Sequence, residues 1–192
     1  MTREEQKQKR RQEILYVGLS LFIKKGYAAT KIANIAEEAN MSMGLLFHYF
    51  NSKEALLEEL VQLGLEGTRL PLQGIIKEPL EFFKSFTEDL FKSMQQEPYV
   101  AQMFTLMGQV QRNEGIPENI RQLALEVNTI ESCVVIIEEG QKKGSIRQGN
   151  ALALSNTYWC TIQGIAEQYV LRPDIPLPEV EWIIDLISEK GR

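Results

Sequence analysis

Between Thr30 and Lys53 the chain reads TKIANIAEEANMSMGLLFHYFNSK, the one segment whose residue types and spacing have a specific chemical use. Two short helical patterns flank a polar break at Asn40–Met41, and the second ends in an aromatic cluster around His48, the only histidine. A helix that reads the DNA major groove needs an apolar side anchored to its domain and an outer side that reaches bases and phosphates. Met41, Leu46 and Phe50 are spaced to pack on Ile32, Ile35 and Leu56, which turns Ser42, Met43, Gly44, Leu45, Phe47, His48 and Tyr49 outward. Gly44 inside so short a helix costs about 0.5–1 kcal/mol relative to alanine, and close approach of the backbone to a base edge is a compensation. Lys53 suits a phosphate as a point charge at the start of the next helix, and Thr30 holds the matching place before the second. The pattern is that of a helix-turn-helix unit.

The elements that must position these residues follow from apolar spacing. Ile14, Leu15, Leu19 and Phe22 form one stripe of a first helix that Gly26 ends. Thr30 is placed to cap a second, Ser42 a third, and Ser52 a longer fourth that fades before Pro71. Prolines and glycines then delimit helices expected over 79–96, 98–112, 117–142, 150–171 and 178–190. No stretch alternates with period two, so the expected fold is all-α. It has about nine helices, with a three-helix head over residues 1–54 joined to a larger helical body over 55–192.

The net charge of −5 is unevenly spread. Residues 1–54 hold nine Lys/Arg against six Asp/Glu, a net of +3, and the remainder carries twelve against twenty, a net of −8. Only the head is suited to a polyanion. Lys7, Lys9, Arg10 and Arg11 read as a solvated basic terminus ahead of the first helix. Cys133 and Cys160 are too few for a disulfide framework, and with one histidine they make no zinc set, so neither a metal nor another cofactor is expected. Two free thiols suit a reducing cytoplasm. The segment MTREEQKQKRRQ lacks the apolar core of a signal peptide, and no run is long and apolar enough to span a membrane. No phosphate loop or dinucleotide fingerprint occurs, and the one histidine lies on the DNA-facing side, which argues against catalysis.

With Ile14-Leu15, Leu21-Phe22, Gly26-Tyr27, Thr30, Ile35-Ala36, Ala39, Ser42, Gly44, Leu46, Tyr49-Phe50, Lys53-Glu54 and Leu56 in this order, the first third of the chain resembles the TetR/AcrR family of bacterial transcriptional regulators. The resemblance implies phosphate contacts by Thr30, Ser42, Tyr49 and Lys53, and base-edge contacts by Met43, Gly44, Leu45 and His48. Gly18 stands where the family usually has alanine, and Phe47 where tyrosine is common, which withdraws a hydroxyl from that contact. With few strong donors on the outer face, specificity is expected to lean on thymine methyls, the backbone at Gly44 and DNA shape.

Helix-turn-helix heads generally pair over two half-sites. Thr161, Gly164, Ile165 and Gln168 on one expected helix, and Trp182, Ile183 and Leu186 on the last, are placed for a homodimer surface, in line with the two-fold four-helix interface that the resemblance implies. The middle helices are rich in Phe and Met, which suit either a core or an apolar pocket. The resemblance implies an effector cavity there, and Phe86, Met103, Phe104, Met107, Tyr158, Trp159 and Gln163 are its candidate lining. The whole reads as a ligand-responsive regulator. The picture is a homodimeric repressor on a palindromic double-stranded operator, released by a small apolar or aromatic effector. The alternative is a ligand- or protein-binding helical module that has lost specific DNA binding.

Overall fold

A computed structural model describes residues 2–69 and 76–189, and the helical spacing becomes helix along most of them. The segments are α1 (Arg3–Lys25), α2 (Ile32–Glu38), α3 (Met43–Tyr49), α4 (Lys53–Arg69), α5 (Pro79–Gln96), α6 (Pro98–Arg112), α7 (Glu118–Ala124), α8 (Thr129–Ser132), α9 (Val134–Lys143), α10 (Ala151–Leu171) and α11 (Val180–Ile184). Nine of them have seven residues or more. Among the described residues the only β-type pairing is one isolated bridge between Ile146 and Ser188. The fold is all-α. Pro71 lies outside the described residues.

Packing divides the chain into two compact units, Met1–Leu65 with Thr105–Glu126, and Glu66–Phe104 with Val127–Arg192. The units do not follow a linear division at residue 54, because α4 and α6 each begin in one and end in the other.

In the first unit, Ile14, Leu15, Leu19 and Phe22 are buried along one face of α1. Gly26 ends this helix at φ 78°, in the left-handed region that glycine tolerates, and its N–H donates to Phe22 O at 2.9 Å. The glycine at position 18 also has a packing reason. A Cβ there would meet Leu56 Cδ2 at 2.5 Å, so the missing side chain lets α1 approach α4. The basic terminus is not a frayed arm. Thr2 caps α1, its Oγ1 accepting from Glu5 N–H at 3.2 Å while Glu5 Oε2 accepts from Thr2 N–H at 2.8 Å, so helix runs from Arg3.

In the second unit Phe83, Leu90, Phe91, Met94, Cys133, Ile137, Tyr158, Ile162 and Ala166 form one buried cluster closed by Ile183, Ile184 and Ile187. Two expected helices are corrected here. The span 117–142 is three segments, because Asn128 accepts from Glu131 N–H at 3.2 Å and starts α8 afresh. The expected 178–190 helix stops at Ile184. Beyond it Arg147 N–H donates to Ile187 O at 2.9 Å and Arg147 Nε to Ser188 O at 3.2 Å, drawing the chain into the bridge.

Candidate nucleic-acid interface

The turn between α2 and α3 places Asn40 at φ 52°, and Met41 N–H donates to Ala36 O at 2.8 Å. Ser42 then caps α3, its Oγ accepting from Leu45 N–H at 3.2 Å. That bond uses a lone pair, so the hydroxyl proton is free to donate to a phosphate. Leu46 and Phe50 are buried with Ile35 and Leu56, as their spacing predicts. Burial of each of these side chains is worth about 1.5–3 kcal/mol, ample to hold a seven-residue helix that would not persist alone. At 3.6 residues per turn Gly44 and His48 stand opposite Leu46, with Phe47 on one flank and Leu45 on the other, and Met43 and Tyr49 lie nearer the buried side. Met43, Leu45 and Phe47 are 37, 41 and 43% exposed. A Cβ on Gly44 would meet nothing within 4 Å, so nothing inside the chain requires glycine there.

Lys53 is placed differently from a free point charge. Its Nζ donates to Tyr27 O at 2.9 Å and lies 4.0 Å from the centre of the Tyr27 ring. Tyr27 in turn donates to Glu54 Oε1 at 2.7 Å. Burial first, and then the Glu54 carboxylate, push the Tyr27 hydroxyl above the ordinary phenol range, while that same hydrogen bond holds Glu54 below its usual value. The ammonium keeps two further protons for a phosphate, beside the α4 start that Ser52 caps through Ala55 N–H at 3.1 Å. Thr30 is a correction. It is buried, and its hydroxyl donates to Gly26 O at 2.8 Å and Leu21 O at 3.3 Å, so its proton cannot serve a phosphate. The N-cap of α2 is Lys31, whose side chain is exposed there.

Two residues hold α3 and the start of α4 in place: Arg11, expected as part of a solvated basic terminus, and Tyr27, given no role in the sequence. Arg11 forms an ion pair with Glu59, its Nη1 donates to Tyr49 O at 3.2 Å, and its guanidinium lies 4.5 Å over the Phe50 ring. The signal was present, since Arg11 falls on the helical repeat of Ile14, Leu15 and Gly18. Tyr27, which steadies Lys53, carried no signal beyond its place after Gly26.

The model for bacterial regulatory proteins of the tetR family matches residues 14–60, the segment that contains this geometry. Over these residues the chain matches the TetR family's DNA-binding head. The chain is 26% identical over 141 residues to the HTH-type transcriptional repressor KstR2 of Mycolicibacterium smegmatis, covering 72% of this chain and 68% of that one. It is 38% identical over 53 residues to the KstR2 repressor of Rhodococcus jostii, covering 28% of this chain and 26% of that one. In fold it is similar to the ketosteroid transcriptional regulator KstR2 of Mycobacterium tuberculosis, with TM-score 0.71 at 20% identity over 94% and 96% of the two chains. No described helix is long and apolar enough to cross a membrane.

In the second unit the expected effector residues are only partly gathered. Phe86 meets Trp159 edge-on with ring centroids 5.3 Å apart, Trp159 meets Tyr158 at 5.2 Å, and Tyr158 meets Phe83 at 4.8 Å. Gln163 Nε2 donates to Phe104 O at 2.9 Å and Glu167 Oε1 at 2.7 Å. Met103 is buried, and Met107 belongs to the first unit. Tyr158 supplies no free polar contact, because its hydroxyl is fully buried, 2.7 Å from Thr87 Oγ1 and 3.2 Å from Phe83 O. Trp159 Nε1 is buried beside the Cys133 thiol and has no oxygen or nitrogen partner. A separate groove, lined by Asn128, Ile130, Glu131, Asn150, Leu152, Ala153 and Asn156, contains none of the expected residues.

Of the expected dimer residues, Gly164, Gln168 and Trp182 are exposed, Trp182 at 65%, and Thr161 is half-buried. Ile183 is a correction. It is buried in the unit's own core, against which Ile165 and Leu186 also pack, because α11 turns Ile183 and Ile184 inward and leaves Trp182 outside. Thr157, Cys160 and Leu171 join the exposed side of α10, and the hydroxyls of Thr157 and Thr161 donate within the helix to Ala153 O and Thr157 O, both at 2.8 Å.

Proposed function

We propose that the chain is a homodimeric transcriptional repressor whose head, residues 1–54, reads a palindromic operator and whose body, residues 55–192, binds a small apolar or aromatic effector that releases it. The observation that carries the DNA reading is α3, a helix anchored by buried Leu46 and Phe50 whose outer face carries a free serine proton, an open glycine and exposed side chains. Repression is named in relatives that share the head. Support for dimerisation comes from α10. Its exposed side is small and self-satisfied at Thr157, Cys160, Thr161 and Gly164, so a second α10 can pack closely, and Trp182 adds apolar area beside the second unit's own core. Support for an apolar effector comes from the aromatic series Phe82, Phe86 and Trp159.

Release follows if the effector favours a dimer geometry in which the two α3 helices no longer match successive major grooves, about 34 Å apart. The test is a titration of duplexes from the region upstream of the chain's own coding sequence, with stoichiometry from sedimentation and with apolar and aromatic small molecules as competitors. Two chains per duplex and a compound that lowers affinity at least tenfold are expected. Equal affinity for unrelated duplexes refutes the regulator reading in favour of a binding module that no longer reads DNA.

A further inference from the structure

Resting on the reading of α3 as the groove helix, we propose that the overhanging first part of α1 is a second DNA surface. Its Arg3, Lys7 and Arg10 form a stripe that lies along the phosphate strand beside the half-site. α1 starts at Arg3, yet its first buried residue is Ile14. At 1.5 Å per residue, about 16 Å of helix precedes the head's core. No residue of that stretch is buried, so it keeps its helix on local terms. Thr2 and Glu5 close the capping box, Gln8 Nε2 donates to Glu4 Oε1 at 3.3 Å, and every residue from Arg3 to Glu13 is Arg, Lys, Glu or Gln, all good helix formers.

The charges are not spread evenly around this helix. Arg3, Lys7 and Arg10 stand at i, i+4 and i+7, in line with Ile14 and Leu21, so the stripe continues the side of α1 that is buried further along. All three are exposed, and neither Arg3 nor Lys7 forms an ion pair among the described residues. Arg10 gives one N–H to Glu13 at 3.2 Å and keeps others to donate. Lys9 stands about 200° round the helix from Lys7, on the other side. Arg11 fixes where the stripe lies. Its Nη1 donates to Tyr49 O at 3.2 Å, at the C-terminal end of α3, and its ion pair with Glu59 ties the same point to α4. α1 thus passes the end of the reading helix, and Arg3–Arg10 reach beyond it. The seven residues of α3 span about 10 Å against a major groove about 12 Å wide, so that end abuts the strand bordering the groove. Cations held on an ordered helix meet its row of phosphates without the entropy cost of ordering a loose arm. Such contacts add affinity and fix orientation, and they select no sequence.

The test begins with a duplex that the full chain selects from a random-sequence pool. Its affinity is measured against salt for the wild type, for Lys7→Ala combined with Arg10→Ala, and for Lys9→Ala, since alanine keeps the helix in each. The double variant should lower the slope of log affinity against log salt by about two per protomer, and Lys9→Ala should leave it unchanged. Trimming base pairs outside the half-sites should weaken the wild type and leave the double variant unaffected. A wild-type slope in the double variant, or a fall of about one in Lys9→Ala, overturns the stripe and leaves the reading of α3 intact. Trimming that weakens both proteins alike does the same. A pool that yields no preferred sequence overturns the reading of α3, and the stripe with it.

Discussion

Replacing Gly44 by alanine should move stability and DNA affinity in opposite directions. The added methyl meets no atom within 4 Å, so it creates no clash inside the protein. It removes the backbone freedom that glycine loses on folding, a gain of about 0.5–1 kcal/mol for a helical position, nearer the lower figure in a first turn. For a chain of 192 residues this raises the melting temperature by about 1–3 °C. In the complex the same methyl stands between the α3 backbone and the base edges. The expected cost there is about 1–3 kcal/mol per half-site, comparable to one mismatched base pair, and valine should cost more. Thermal unfolding followed by far-ultraviolet circular dichroism gives the first quantity, and a fluorescence-anisotropy titration of the selected duplex gives the second. Operator affinity unchanged in Gly44→Ala and in Gly44→Val would refute the close-approach reasoning. A fall in melting temperature would show instead that glycine is needed within the head.

Lys53→Ala should weaken binding to every duplex alike and lower the slope of log affinity against log salt by about one per protomer, measured between 50 and 200 mM salt as estimated for one lost phosphate contact. Gly18→Ala should destabilise by about 1–3 kcal/mol in urea denaturation, since its Cβ would lie 2.5 Å from Leu56 Cδ2. With Leu56→Val the combined cost should fall below the sum of the two. Burial pushes the Cys133 thiol from 9.0 up to about 11, so the folded state resists an ionisation that the unfolded chain permits. Its contribution is complete below pH 9 and is lost as the pH rises toward 11, at a limiting slope of about 1.4 kcal/mol per unit. Urea midpoints between pH 8 and 10.5 should fall accordingly, and more gently in Cys133→Ala.

Much of the head was legible because its helices are short and their roles are local. Ser42 caps its own helix, Gly26 ends its own, and Leu46 and Phe50 are one turn apart, so spacing alone assigns them. Thr30 was misread because two nearby carbonyls of α1 and its following turn, Leu21 O and Gly26 O, compete for its hydroxyl, and nothing in a linear pattern ranks that competition. Arg11 and Glu59 stand 48 residues apart, and only the fold brings them together.

In the body, Pro79, Pro98 and Asn150 mark helix starts that the chain keeps, because a proline or a capping amide acts on its own turn. The partners of a side chain are another matter. Tyr158 and Trp159 are adjacent in sequence, yet one buries its hydroxyl against Thr87 while the other sets its ring edge-on to Phe86. Ile183 is as apolar as its neighbour Trp182, and packing alone turns the first into the core and leaves the second exposed. Residue order by itself determined the helical class, the reading helix and the side it turns outward, since each follows from periodicity and caps within about ten residues. Only the tertiary structure decided which of the outward and aromatic groups remain free to act, because a polar or apolar side chain is spent on whichever partner folding brings within reach.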